Sequence, residues 1–226
     1  MPAAISCGNQ EAASPAIDQN LSPPPKGKAE ALATPPRVGN KKGVPLTKPA
    51  DWDPLAYNKK RGNEGAIPHA YLPSINGPDG EKKHLGKHLP YVPKLDGVVL
   101  PAGYLALMWG DPAKGYAKHP NAKEGAESYA LGHWYDAIEL RKASQDDVPA
   151  VKSLYSGWPT VGASDSGKYL AFGGGQVEDE GGKNTIYLAK LPPDLAPGDT
   201  VRVFGHCCYH GDYVDFVTLP EGTNGA

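Results

Sequence analysis

The amino-acid sequence predicts an all-β fold, an immunoglobulin-like β-sandwich behind a long disordered or loop-like N-terminal extension. Three observations lead there. First, 24 prolines and 28 glycines among 226 residues punctuate the chain too often for long helices. Second, apolar runs of strand length recur at 98–109, 133–140, 184–191, 200–204 and 213–219, with turn residues such as Pro197-Gly198-Asp199 between them. Third, no apolar stripe of helical period persists beyond two turns, and Ala113–Ala130 is interrupted by glycine and proline.

In chain order, residues 1–50 are rich in Pro, Ala, Ser, Asn and Lys and lack apolar periodicity, so they read as a disordered leader or tether. Within them Ala4-Ile5-Ser6-Cys7-Gly8 resembles a bacterial lipoprotein cleavage box, which would make Cys7 a lipid anchor. The apolar stretch that should precede such a box is missing. The tether-like leader nevertheless tilts the expected location towards the periplasm rather than the cytoplasm. Residues 51–80 read as an irregular lead-in ending in the turn Asn76-Gly77-Pro78-Asp79-Gly80, and 81–226 as the sandwich.

Composition removes several function classes. A formal net charge of −2 offers no basic field for nucleic acid. No apolar run reaches the roughly 18 residues needed to span a bilayer as a helix. The cysteines are Cys7, Cys207 and Cys208. Neighbouring cysteines rarely bridge each other, so a disulfide framework is not expected and the 207–208 pair is free for other chemistry. No Cys-x-x-Cys is present, which excludes a rubredoxin-like iron centre of four cysteines within this chain.

Seven histidines stand at 69, 84, 88, 119, 133, 206 and 210. The sharpest motif is Cys207-Cys208-Tyr209-His210-Gly211. In a loop between strands, side chains at i and i+3 can turn to one centre, and a thiolate with an imidazole suits iron, copper or zinc. Gly211 would let the backbone leave the turn at positive φ. His84, four residues before His88, has helical spacing, but Gly86 and Pro90 argue for a loop there.

The motif resembles the Cys-x-x-His-Gly of superoxide reductases, including the iron domain of desulfoferrodoxin. Three further blocks resemble that family in the family's order: Gly86-Lys87-His88-Leu89-Pro90, His119-Pro120-Asn121, and His133-Trp134-Tyr135-Asp136-Ala137-Ile138-Glu139-Leu140. The resemblance covers about residues 80–216. It implies one mononuclear, non-haem iron held by His88, His119, His133 and His210 with Cys207 as thiolate. It also implies an open face where superoxide binds and is reduced to hydrogen peroxide, with Lys87 drawing in the anion. Relatives often take electrons from rubredoxin and assemble as dimers or tetramers. Cys208, one residue out of spacing, is expected to point into the sandwich, and His206 away from the metal.

Two features depart from the family. Residues 120–132 separate the second and third histidines, a longer interval than is usual, and must loop out without moving either. The family glutamate that can cap the open iron position falls on Gly86, leaving Glu81 as the nearest substitute. Two other readings remain at the level of sequence. A cupredoxin-like copper carrier would need a methionine after the last histidine, and the methionines are Met1 and Met108. A sandwich that binds metal without turnover is the other.

Overall fold

The computed structural model describes residues 41, 43–122, 132–155, 168–171 and 182–221. The expected leader disorder over 1–40 and the Cys7 anchor lie outside them. The chain forms eight strands: β1 (Pro90–Tyr91), β2 (Tyr104–Trp109), β3 (Tyr135–Lys142), β4 (Ala150–Leu154), β5 (Lys168–Ala171), β6 (Ile186–Lys190), β7 (Thr200–Cys207) and β8 (Gly211–Thr218). They make two antiparallel four-stranded sheets, ordered β1-β2-β6-β5 and β4-β3-β7-β8. This is the β-sandwich the sequence predicts.

The two sheets bury a shared core. Leu105, Leu107 and Trp109 of β2 and Tyr187 and Ala189 of β6 meet Ile138 and Leu140 of β3, Val201 and Val203 of β7, and Val217 of β8. Tyrosine is prominent in this core, and two of its buried hydroxyls bond main-chain oxygens. Tyr155 Oη donates to Leu188 O at 2.8 Å and Tyr135 Oη to His88 O at 3.1 Å.

Both faces of the second sheet are covered, so the central residues of β3, β7 and β8 are buried without alternation. The cover is polar and comes from upstream. Residues 43–50, read from sequence as leader, lie along the outer face, where Arg141 donates to Leu46 O and Arg202 to Pro45 O, each at 3.3 Å. Lys41 pairs with Glu139. Trp52 Nε1 donates to Asp215 at 2.7 Å, and its ring meets Phe216 edge-on.

Residues 51–80 are not the irregular segment read from sequence. They hold α1 (Pro54–Arg61), a π-helical turn at Gly62–Ala66, a 3-10 turn at His69–Tyr71 and α2 (Leu72–Asn76). Asp53 caps α1 by accepting from the N–H groups of Leu55 and Ala56. One residue of α1 explains why the helix docks where it does. Asn58 donates to Val214 O at 2.7 Å and accepts from Val214 N–H at 2.9 Å, so its amide replaces a neighbouring strand at the edge of β8. A sheet edge covered in this way is no longer a template for another chain.

The strands differ in extent from the sequence reading. The run at 98–109 yields a strand only from Tyr104, because Gly103 takes φ +75° and Pro101 turns the chain before it. The strand opening at His133 begins at Tyr135, and β4 and β5 lie in stretches where no strand was expected. Among the described residues, no helix is long and apolar enough to cross a membrane.

Candidate metal centre

The Cys-x-x-His pair sits on the β7–β8 hairpin. Cys207 pairs with Gly211 across the ladder, leaving Cys208, Tyr209 and His210 as the loop. Gly211 takes φ +85°, as the turn requires, and a Cβ there would stand 2.4 Å from the carbonyl oxygen of Ala66. The turn brings Cys207 Sγ to 3.9 Å from His210 Nδ1.

The other three histidines arrive from separate elements. His88 closes a helical turn that runs from Gly80 through Leu85 to His88, so the i, i+4 relation of His84 and His88 is realised despite Gly86 and Pro90. His119 is held by its N–H to Trp109 O at 3.1 Å, just beyond β2. His133 forms an isolated antiparallel bridge with Ala122, with both N–H to O distances 2.8 Å. That bridge pinches the long insertion at its base and leaves His119 and His133 on one side of it; residues 123–131 lie outside the described ones.

Their ligand-type atoms converge. Within His88, His119, His133, Cys207 and His210 one donor atom from each lies within 4.8 Å of all the others. His88 Nε2 and His133 Nε2 each stand 2.9 Å from His210 Nδ1, and Cys207 Sγ stands 3.7 Å from His119 Nε2. None of the five residues is more than 3 % exposed. All five residues named from sequence are therefore brought together, and among the described residues no carboxylate joins them.

Electrostatics fits these atoms to a cation. Burial, then the neighbouring imidazoles and Lys87, push the titration of His88 and His133 well below the ordinary histidine range. Burial and Lys87 do the same at His119 and His210. Neutral imidazoles carry a lone pair on one nitrogen. His88 Nδ1 is 2.6 Å from His84 O and His119 Nδ1 is 3.2 Å from Asn121 Oδ1, so both rings place their protons outward and turn bare Nε2 inward. A single hydrogen on His210 Nδ1 could bridge only one of two neighbours at 2.9 Å. The remaining lone pairs would face one another in a dry pocket. A metal ion at their centre satisfies all of them.

Cys207 obeys the same logic. Burial and Cys208 push its thiol well above the ordinary value, while N–H groups of Tyr209 and His210 and the charge of Lys87 pull it back. A coordinated metal would supply the charge that holds it as thiolate.

A shell of aromatic and amide groups aims the ligands. Asn121 accepts from Tyr187 Oη at 2.5 Å and donates to Gly182 O at 2.8 Å, which fixes the oxygen that orients His119. Tyr213 stacks on His88 at 4.3 Å between ring centroids, and Tyr71 stacks on His210 at 3.9 Å. Sequence reasoning assigned no role to Tyr71, Tyr187 or Tyr213, and nothing in a lone tyrosine's surroundings would have marked it.

The remaining sequence-derived candidates fall as follows. Lys87 is half-buried, its Nζ 5.4 Å from the centre of the Tyr71 ring, and burial lowers its ammonium to about 8 against the pull of Cys207. His206 points away from the cluster and pairs with Asp136 at 2.6 Å. Cys208 is half-buried at the rim of the core, its Sγ 3.4 Å from Trp134 N, rather than fully inside. At Gly86, a Cβ would lie 2.5 Å from the Tyr116 ring, so the position that carries the family glutamate has no room for a side chain here. Glu81 is exposed. Met108 Sδ accepts from Tyr91 Oη at 3.4 Å, on the β1–β2 pair.

Comparison with protein-family models, curated proteins and solved structures returned no match. A functional reading rests on the motifs and the geometry of this centre.

Proposed function

We propose that this chain is an iron protein that reduces superoxide to hydrogen peroxide. The observation that supports it is the meeting of one cysteine and four histidines, from four separate stretches of chain, in a single buried cluster. Those are the residues, in the order, that the superoxide reductase motifs pick out. The donor set of four imidazoles and one thiolate suits iron, copper or zinc, and the resemblance of the motifs favours iron among them.

Bound iron would supply the electron that, with two protons, turns superoxide into hydrogen peroxide. The chain's own residues do the rest. His88, His119, His133 and His210 hold the ion with neutral nitrogens, so the ligand set carries only the charge of Cys207. The Cys207 thiolate would donate charge to a bound metal, and the Tyr209 and His210 N–H groups, which hydrogen-bond the sulfur, would temper that donation. Lys87 places a positive charge beside the centre, which raises the local concentration of a small anion. No side-chain acid beyond Lys87 is assigned, and water provides the protons.

A second reading, a metal held for structure alone, draws on one observation: the near-complete burial of all five ligand residues. Stopped-flow mixing of the reduced, iron-loaded protein with superoxide separates the two. Rapid peroxide formation without oxygen release, lost in Cys207→Ser, is the expected result. Superoxide decay no faster than in buffer would leave the structural reading.

A further inference from the structure

Tyr71 lies upstream of every motif that resembles the family, yet it touches the centre through two different groups. Its ring covers His210, with centroids 3.9 Å apart and planes 28° from parallel. Its hydroxyl is 2.9 Å from His84 Nδ1. His84 in turn offers the carbonyl oxygen that holds His88 Nδ1 at 2.6 Å. The tyrosine is itself fixed, with its N–H on Pro68 O at 2.8 Å and its ring packed among Ile67, Ile75, Leu85 and Tyr213. One side chain thereby reaches two ligand imidazoles: it stacks on His210, and it meets His88 both edge-on, at 5.9 Å between ring centroids, and through His84.

We infer that Tyr71 is a positioning residue of the metal centre, holding His210 by stacking and His88 through the hydroxyl bond to His84. The inference rests on the metal reading above and adds to it a residue from the helical segment before the sandwich. Its physical basis is that partners behind the ligands fix ring orientation, and losing one typically weakens metal binding by about 10- to 100-fold. Packing alone would need only the ring. The hydroxyl is what a positioning role requires, and phenylalanine removes nothing else.

The test uses the full chain loaded with ferrous iron. Tyr71→Phe, His84→Phe and the double variant are compared by iron release to a chelator and, after oxidation, by the thiolate-to-iron absorption band. Tyr71→Phe is expected to speed iron release by about tenfold, the lower end of that range, and to shift the band. His84→Phe is expected to do the same, with no further change in the double variant because the two residues act through one bond. A band and release rate in Tyr71→Phe equal to those of the wild type would overturn the inference while leaving the metal reading intact. Additive effects in the double variant would also overturn it. A wild-type chain that takes up no iron would sink both.

Discussion

His88 Nδ1 lies 2.6 Å from the main-chain oxygen of His84, four residues upstream on the same helical turn. That bond decides which nitrogen of His88 is bare, and the bare Nε2 faces His210 Nδ1 at 2.9 Å. A helical turn, a hairpin and two loop positions are thus shaped around a space in which nitrogen lone pairs crowd. The first consequence concerns stability. Without a cation the five buried groups oppose one another, so metal removal should cost folding free energy. A ligand at a hundred times its Kd adds about 2.7 kcal/mol. Chelator-treated protein should lose about that much unfolding free energy and so unfold at a lower guanidinium midpoint, measured by circular dichroism, and iron should restore the midpoint. Equal midpoints would mean that the cluster holds no ion.

Gly211 tests the hairpin. Its φ of +85° and the 2.4 Å approach of a would-be Cβ to Ala66 O both resist a side chain. Gly211→Ala should destabilise the fold by about 1–3 kcal/mol and weaken metal uptake, because Cys207 and His210 flank the same turn. Equilibrium unfolding and metal titration of this variant check the two effects separately.

Asp215 gives a pH dependence whose causes include none of the five cluster residues. Burial raises its carboxyl, against the Trp52 and Phe216 N–H donors and the charges of Lys114 and Lys48. The folded protein therefore holds this proton at a pH where the unfolded chain has lost it. Stability from this group is fully present below the unfolded value, near about 3.9, and falls as pH rises through the raised folded value. Asp215→Asn keeps an oxygen for Trp52 and should flatten that fall. Chemical denaturation at a series of pH values reads the difference, and a slope identical to that of the wild type would contradict it.

Lys87 carries the prediction about anion attraction. Lys87→Ala should lower the second-order rate with superoxide and weaken its dependence on ionic strength, since screening acts on a charge no longer there. Lys87→Arg should recover both in large part. An unchanged rate at low salt would remove the role.

Much of this site was legible in the sequence because its chemistry sits in short motifs. Cys207 and His210 lie on one turn, and His88, His119 and His133 each carry distinctive neighbours. The core strands showed themselves as apolar runs. What sequence missed was held by polar contacts. Helix α1 packs through Asn58 and Arg61, both buried, so no apolar stripe announces it. Residues 43–50 are pinned by arginines to their main-chain oxygens, which any residue type would offer. Tyr71 acts through a stacking contact and a hydroxyl that leave no trace in residue spacing, whereas the i, i+4 spacing of His84 and His88 is visible in the sequence but is masked as a helical signal by Gly86 and Pro90.

Five side chains around one iron is the claim on which the functional account stands. Metal analysis of protein purified without added metal, with the absorption spectrum of the oxidised form, tests it most directly. The account predicts one iron per chain and a thiolate-to-iron band that vanishes in Cys207→Ser and survives in Cys208→Ser. Copper in place of iron, no bound metal, or a band that depends on Cys208 would contradict it.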